Sequence, residues 1–176
     1  MRLFRSDERH VNAVMRHVRL SEMIKPTRIS FGGTAAIATS MALIAGLDAA
    51  NAGRAVMVSA LLIAAVADNL TDSLSVHMYQ ESERLERREA FVGTLTNFAT
   101  RFIVCLSFVL IVALFREHAA IVGIIWGMSL LTALTYILAR HRHVRALSEV
   151  GKHLAVATVI IFVSKSIGHW VTAHVT

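Results

Sequence analysis

Five apolar runs, most of them close to the ~20 residues that carry a helix across a bilayer, constrain this chain more than any other feature of its sequence. They cover residues 29–50, 55–67, 91–115, 119–139 and 153–172, with short charged stretches between them. A 176-residue chain that is 55% hydrophobic and holds a single proline does not read as a soluble domain. The expected fold is all-α: a polytopic membrane protein with five transmembrane helices at about 29–50, 55–80, 91–115, 119–139 and 153–172. The second run is apolar only as far as Ala67, so its polar second half must face protein or water rather than lipid.

Lysine and arginine give the orientation, because cytoplasmic loops keep these residues and translocated loops lose them. Seven precede the first run (Arg2, Arg5, Arg9, Arg16, Arg19, Lys25, Arg28), three lie in the 79–90 loop (Arg84, Arg87, Arg88), and four in the 140–152 loop (Arg140, Arg142, Arg145, Lys152). The other two loops hold one each, Arg54 and Arg116. The expected topology places the N-terminus in the cytoplasm and the C-terminus outside. The net charge of +6 then anchors the chain against anionic lipid heads. No basic patch interleaved with aromatics appears, so nucleic acid is not an expected partner. Arginine far outnumbers lysine and alanine is plentiful, which points to a bacterial inner membrane.

Residues 1–28 form a separate cytoplasmic segment ahead of the membrane domain 29–176. Charges at positions 2, 5, 7, 8 and 9 leave no apolar stretch for a cleavable signal. Val11, Val14, Met15, Val18 and Met23 fall near helical spacing with Arg9, Arg16 and Arg19 between them, the pattern of an amphipathic helix lying in the membrane interface.

The chemistry concentrates in "ADNLTDSLSVHMYQESE", residues 67–83. On a helix advancing about 100° per residue with Asp68 at zero, Asp72 lies near 40°, Ser75 near −20°, Tyr79 near 20°, Glu83 near 60° and Glu86 near 0°. Ile63, Val66 and Leu70 fill the opposite face. This is a carboxylate-lined stripe on an otherwise apolar helix. Carboxylates one turn apart project close enough to share a cation, and hard divalent ions prefer such oxygens. Asp68 and Asp72 are therefore the candidate intramembrane ligands, Ser75 and Tyr79 continue the path, and Glu83 and Glu86 recruit ions from the cytosol. His77 and Met78 lie off the stripe and read as packing.

Two intramembrane cations offer a plainer account. Arg101 in the third run and Lys165 in the fifth lie at depths where each could pair with an aspartate structurally. Two acids one turn apart repel unless they share a cation or a proton, which argues for transport. Among the polar groups of other runs, Thr34, Thr39, Ser40, Met41, Thr94, Thr96 and Thr100 read as packing. Asn97 is the best further ligand, because its amide needs buried partners or water. Gly123 and Gly127 permit close helix contact, and Cys105, the sole cysteine, reads as a core residue. The His141–Arg142–His143 cluster reads as interface anchoring.

The stretches "ISFGGTAAIATSMALIAGLDAANAG" and "ADNLTDSLSVHMYQESE" resemble the first two membrane helices of the vacuolar iron transporter family, which includes nodulin-21-like proteins, over roughly residues 29–115. The resemblance implies a homodimer that moves ferrous iron, and often manganese, out of the cytosol in exchange for protons, along a path between the first two helices of the subunits. It implies a transported ion and no permanently bound cofactor. Two departures bear on the cargo. Ala35 and Ala36 stand where the family has an Asp-Gly pair, and Asp72 stands where it has a methionine. An oxygen-rich site on the second helix alone favours manganese, magnesium or calcium over iron. The family's cytosolic metal-binding insertion is reduced to "ESERLERREA", whose interleaved charges read as a self-paired face.

No nucleophile with a base, phosphate loop or cofactor motif appears, so an enzyme is not expected. The alternative to transport is a membrane scaffold on the same fold, its first-helix ligand lost.

Overall fold

The computed structural model describes residues 26–82, 87–115 and 117–175, with side chains within them other than 26–31, 80–81 and 87–90. The amphipathic helix expected at the N-terminus, and Glu83 and Glu86, lie outside the described residues. Every described element is helical: α1 (Pro26–Ala49), α2 (Arg54–Ile63), a π turn (Ala64–Asp68), α3 (Asn69–Ser82), α4 (Arg87–Leu114), α5 (Ala119–His141) and α6 (Ala146–His174). Helix α2, the π turn and α3 form one continuous second span. Among the described residues, five helical segments are long and apolar enough to cross a membrane.

Helix α1 runs through the middle of the bundle, packed against α4, α5 and α6 and touching α2. It is covered on several sides: Ile37, Ser40, Met41, Ile44 and Ala45 are buried on one face, and Ala38, Thr39, Ala42 and Leu43 on the other are half-buried. Phe108 and Val112 of α4, Leu131 of α5 and Ala157 of α6 close around it. The second span lies at the edge. Its upper half packs on α4 and α1, and α3 packs on α4.

Small residues set the helix separations. Gly127 of α5 leaves room for Met41 and Phe108, and Gly123 for Ile44, as the close-contact reading of that pair anticipates. Gly168 of α6 lies so close to α1 that a Cβ there would overlap the carbonyl oxygen of Gly46 and stand 2.9 Å from the Ala49 Cβ. This close backbone approach packs α6 directly on α1. Cys105 is buried, with the Ser40 hydroxyl 3.7 Å from its sulfur.

Helices α1 and α4 begin a few residues earlier than expected, at Pro26 and Arg87, and two larger differences stand out. Helix α6 starts at Ala146 rather than 153, and its first turns are supported by the Lys152–Glu149 pair at 2.9 Å, one turn apart. The hydropathy of "LSEVGKH" hides a helix that continues past the apolar core. The second span carries a π turn where uniform α-helix was expected. The Asn69 N–H reaches the Ala64 carbonyl five residues back, and the carbonyl it passes over, Ala65 O, accepts the Asn69 Nδ2 at 2.7 Å. A side chain therefore satisfies the backbone group that the wide turn frees.

Gly168→Ala should lower the stability of the detergent-solubilised protein by about 1–3 kcal/mol, because the obstacle is backbone that cannot step aside. Gly151, also in α6, has nothing within 4 Å of a Cβ position, and Gly151→Ala should be neutral or stabilising. Chemical unfolding of the two variants followed by circular dichroism checks the contrast.

Candidate ion site between the second and third spans

Helices α3 and α4 are antiparallel neighbours, and the π turn places a polar row on the face of the second span that meets α4. Residues four apart in an α-helix drift about 40° per step, so the row Leu61, Ala65, Asn69, Ser73 would wind off the interface in a uniform helix. The wider turn takes up part of that drift, and all four are buried. The row turns from apolar to polar at Asn69.

Arg101 of α4 is the group this row serves. Its side chain is 2% exposed, yet it carries a full charge. The Arg101 Nε donates to Asn69 Oδ1 at 2.8 Å, one terminal nitrogen donates to Asp68 Oδ2 at 3.0 Å, and the other forms an ion pair with Asp72 Oδ2. The planar guanidinium fork thus spans both acids and the amide between them, a geometry that a lysine ammonium cannot reproduce. Gly32 of α1 makes room for it: a Cβ there would overlap Asn97 Oδ1 and lie 3.1 Å from Arg101 Cγ.

The site is uneven in charge and in exposure. Two carboxylates against one guanidinium leave one formal negative charge, assuming both acids are ionised. Arg101 is enclosed, whereas Asp68 and Asp72 remain 46% and 39% exposed on the outer flank of the second span. One turn further along lie Ser73 of α3 and Asn97 of α4, both buried. Neither Ser73 Oγ nor either polar atom of Asn97 has a hydrogen-bond partner among the described residues. A turn beyond that, Thr94 Oγ1 lies 3.4 Å from His77 Nδ1. Antiparallel register therefore lays out a polar seam from Arg101 through Asn97 and Ser73 to Thr94 and His77.

The expected site residues separate accordingly. Asp68 and Asp72 come together through Arg101, and Asn97 is buried one turn from it. Ser75 donates to the Thr71 carbonyl of its own helix at 3.0 Å, and Tyr79 is exposed, so these two continue the stripe along the surface without joining the Arg101 cluster. The pairing of the aspartates with intramembrane cations is realised by Arg101 alone. Lys165 lies on the exposed face of α6, which does not touch the second span. Asn69 and Ser73 were missed. The signal for them was the four-residue spacing that continues the buried apolar row. Among the described residues, no group of three or more His, Cys, Asp or Glu side chains gathers as a ready-made metal site. Any cation here would be held by the two carboxylates with amide, hydroxyl or water oxygens.

Comparison with protein-family models, with curated proteins and with solved structures finds no match to this chain. The fork geometry makes its own prediction. Arg101→Lys keeps the charge but cannot reach both acids and Asn69, so it should destabilise the protein by about 1–3 kcal/mol, the worth of the charge-assisted bonds it drops. Unfolding in mixed micelles, compared with wild type, measures it.

Proposed function

We propose that this chain is a membrane transporter that exchanges a divalent cation for protons at Asp68 and Asp72, exporting the cation from the cytosol. The observation that carries this reading is the imbalance at Arg101: one guanidinium for two carboxylates, with 46% and 39% of the acid side chains still open. A net charge at bilayer depth costs several kcal/mol unless it is compensated. One proton shared by the acids brings the cluster to neutrality. A divalent cation competes for the same carboxylate oxygens and in doing so takes them from the guanidinium.

Arg101 acts in this scheme as a tethered counter-ion. It keeps the acids compensated when no cargo is bound and gives way when a cation arrives. The release is affordable because Asn69 Oδ1 continues to hold the Nε. Hard ions suit the oxygen-only ligand set, which supports manganese, magnesium or calcium, while iron and manganese follow from the resemblance to vacuolar iron transporters. That resemblance also supports a homodimer, while the lysine and arginine distribution supports a cytoplasmic N-terminus and the arginine- and alanine-rich composition an inner-membrane location. Asn97 and Ser73, buried and without a hydrogen-bond partner among the described residues, supply neutral oxygens along the route on the α3–α4 side.

A second reading rests on the same cluster. The guanidinium engages both acids and the neighbouring amide, as a purely structural ion pair would, and this supports a non-transporting scaffold. The two readings part in a flux assay. Reconstituted into proteoliposomes, the wild-type protein should move manganese or ferrous iron against a proton gradient and slow when the gradient is collapsed. Asp68→Asn with Asp72→Asn should reduce flux to the level of empty vesicles while the protein remains folded. Wild-type flux no greater than that of empty vesicles would leave only the scaffold reading, and unchanged flux in the double variant would remove the two aspartates from the ion path.

A further inference from the structure

Two cavities open where α6 lies on α1, and Ala38 and Ile160 line both of them. The register of this helix pair is read from its glycines. Gly46 lies against Ser164, and Gly168 lies against Ala49 and Ala50, so the two helices run parallel and are closely packed at this end. About twelve residues back along each helix, ~18 Å away, Thr34 and Lys152 stand at one level. There the helices leave a cavity of about 260 Å³ that opens on the surface of the bundle and has Leu131 of α5 in its wall.

The lining of this cavity is divided by chemistry. Thr34, Lys152 and His153 stand at one end, and Ala38, Val156, Ala157 and Ile160 continue below them. Lys152 also marks the start of the fifth apolar run, the level of a membrane surface in a spanning helix. The sequence around it carries Arg140, Arg142, Arg145 and Lys152 against the single acid Glu149. Lys152 Nζ donates to Glu149 Oε1 at 2.9 Å, an exposed pair that contributes little and leaves two ammonium hydrogens for another acceptor. His153 Nδ1 donates to the Glu149 carbonyl at 2.8 Å. Its Nε2 is therefore the ring atom that remains for a ligand, and it donates once the imidazole is charged.

We propose that this cavity holds an anionic phospholipid, with its phosphate on Lys152 and His153 and the start of one acyl chain against Ala38, Val156 and Ile160. A basic pocket between spanning helices at the membrane surface is suited to such a headgroup. A zwitterionic headgroup would bring its own cation into a region already rich in them. A free anion would use only the polar end and leave the apolar remainder of the cavity unfilled. Length agrees as well: a chain from one leaflet reaches half of the ~30 Å hydrocarbon thickness, about ten residues of helix. Counted from Lys152, that distance ends just beyond Ile160, where the second cavity continues past Ala42 and Ser164. The inference rests on the membrane location proposed above and not on ion transport or the acid pair.

Native mass spectrometry of the full chain in detergent, titrated with phosphatidylglycerol or with phosphatidylcholine, tests it without any flux measurement. The wild-type protein should retain one phosphatidylglycerol per chain in preference to phosphatidylcholine. Lys152→Gln with His153→Gln should lower that affinity about tenfold, the loss expected when charge-assisted contacts to one phosphate are removed. Ala38→Leu keeps every charge, fills the space below the headgroup and should also weaken binding. Lys165→Gln removes a charge from the exposed face of the same helix and should leave the affinity unchanged. Excess inorganic phosphate should not displace the lipid. These substitutions fall on exposed or half-buried residues, and circular dichroism checks that each variant stays helical. Equal retention of the two lipids, an affinity indifferent to the double variant or to Ala38→Leu, an equal loss in Lys165→Gln, or displacement by inorganic phosphate would overturn the inference.

Discussion

A guanidinium enclosed in an apolar helix bundle must carry its counter-ions with it, and the placement of the second long helical segment follows from that requirement. Arg101 is 2% exposed, so its partners have to come from protein. Asp68, Asn69 and Asp72 supply them from one stretch of helix, and they bind α3 to α4 along a face that hydrophobic packing alone would not specify. The same contacts leave the cluster one charge out of balance. Structure and proposed chemistry therefore share an origin: the arginine that fixes the helix pair also leaves an acid pair with more negative charge than it can cancel.

The rest of the bundle is arranged so that this cluster fits. Helix α1 sits centrally and is relieved of side chains where α4 and α6 come near, Gly32 at Asn97 and Arg101 and Gly46 at Ser164 and Gly168, whereas opposite Met41 and Ile44 the glycines are those of α5. The π turn performs the corresponding task in the second span, rotating the polar row onto α4 and supplying its own hydrogen-bond repair through Asn69. Wide turns of this kind tend to occur where a helix serves a site rather than only a core. Here the turn ends at Asp68, the first of the two acids.

Much of the architecture was legible in the sequence because bilayer thickness and hydropathy are strong constraints. Among the described residues, five helical segments long and apolar enough to cross a membrane stand where the apolar runs predict them, and Asp68 and Asp72 lie together on one of them as a 100° wheel places them. The wheel failed where the helix stopped being uniform. Asn69 falls near 100° on an ideal helix, off the acidic stripe, yet it is fully buried because the π turn alters the phase around it. Ser73 was missed for the same reason. Arg101 was visible as an intramembrane cation, but one guanidinium serving both acids depends on the facing register of two helices, which no single-helix pattern contains. Lys165 was weighed as a partner within the chain, and the packing of α6 on α1 and α5 places it elsewhere. The early start of α6 was hidden because Glu149 and Lys152 lower the hydropathy while pairing along the helix.

The central claim is that a single arginine is coupled to both aspartates at once. A three-residue mutant cycle over Asp68→Asn, Asp72→Asn and Arg101→Met, read out as unfolding free energy in lipid bicelles, measures that coupling directly. The account predicts that Arg101 couples to each aspartate by about 1–3 kcal/mol and that each coupling changes when the other acid is removed. Coupling to only one aspartate, or values that simply add, would contradict it.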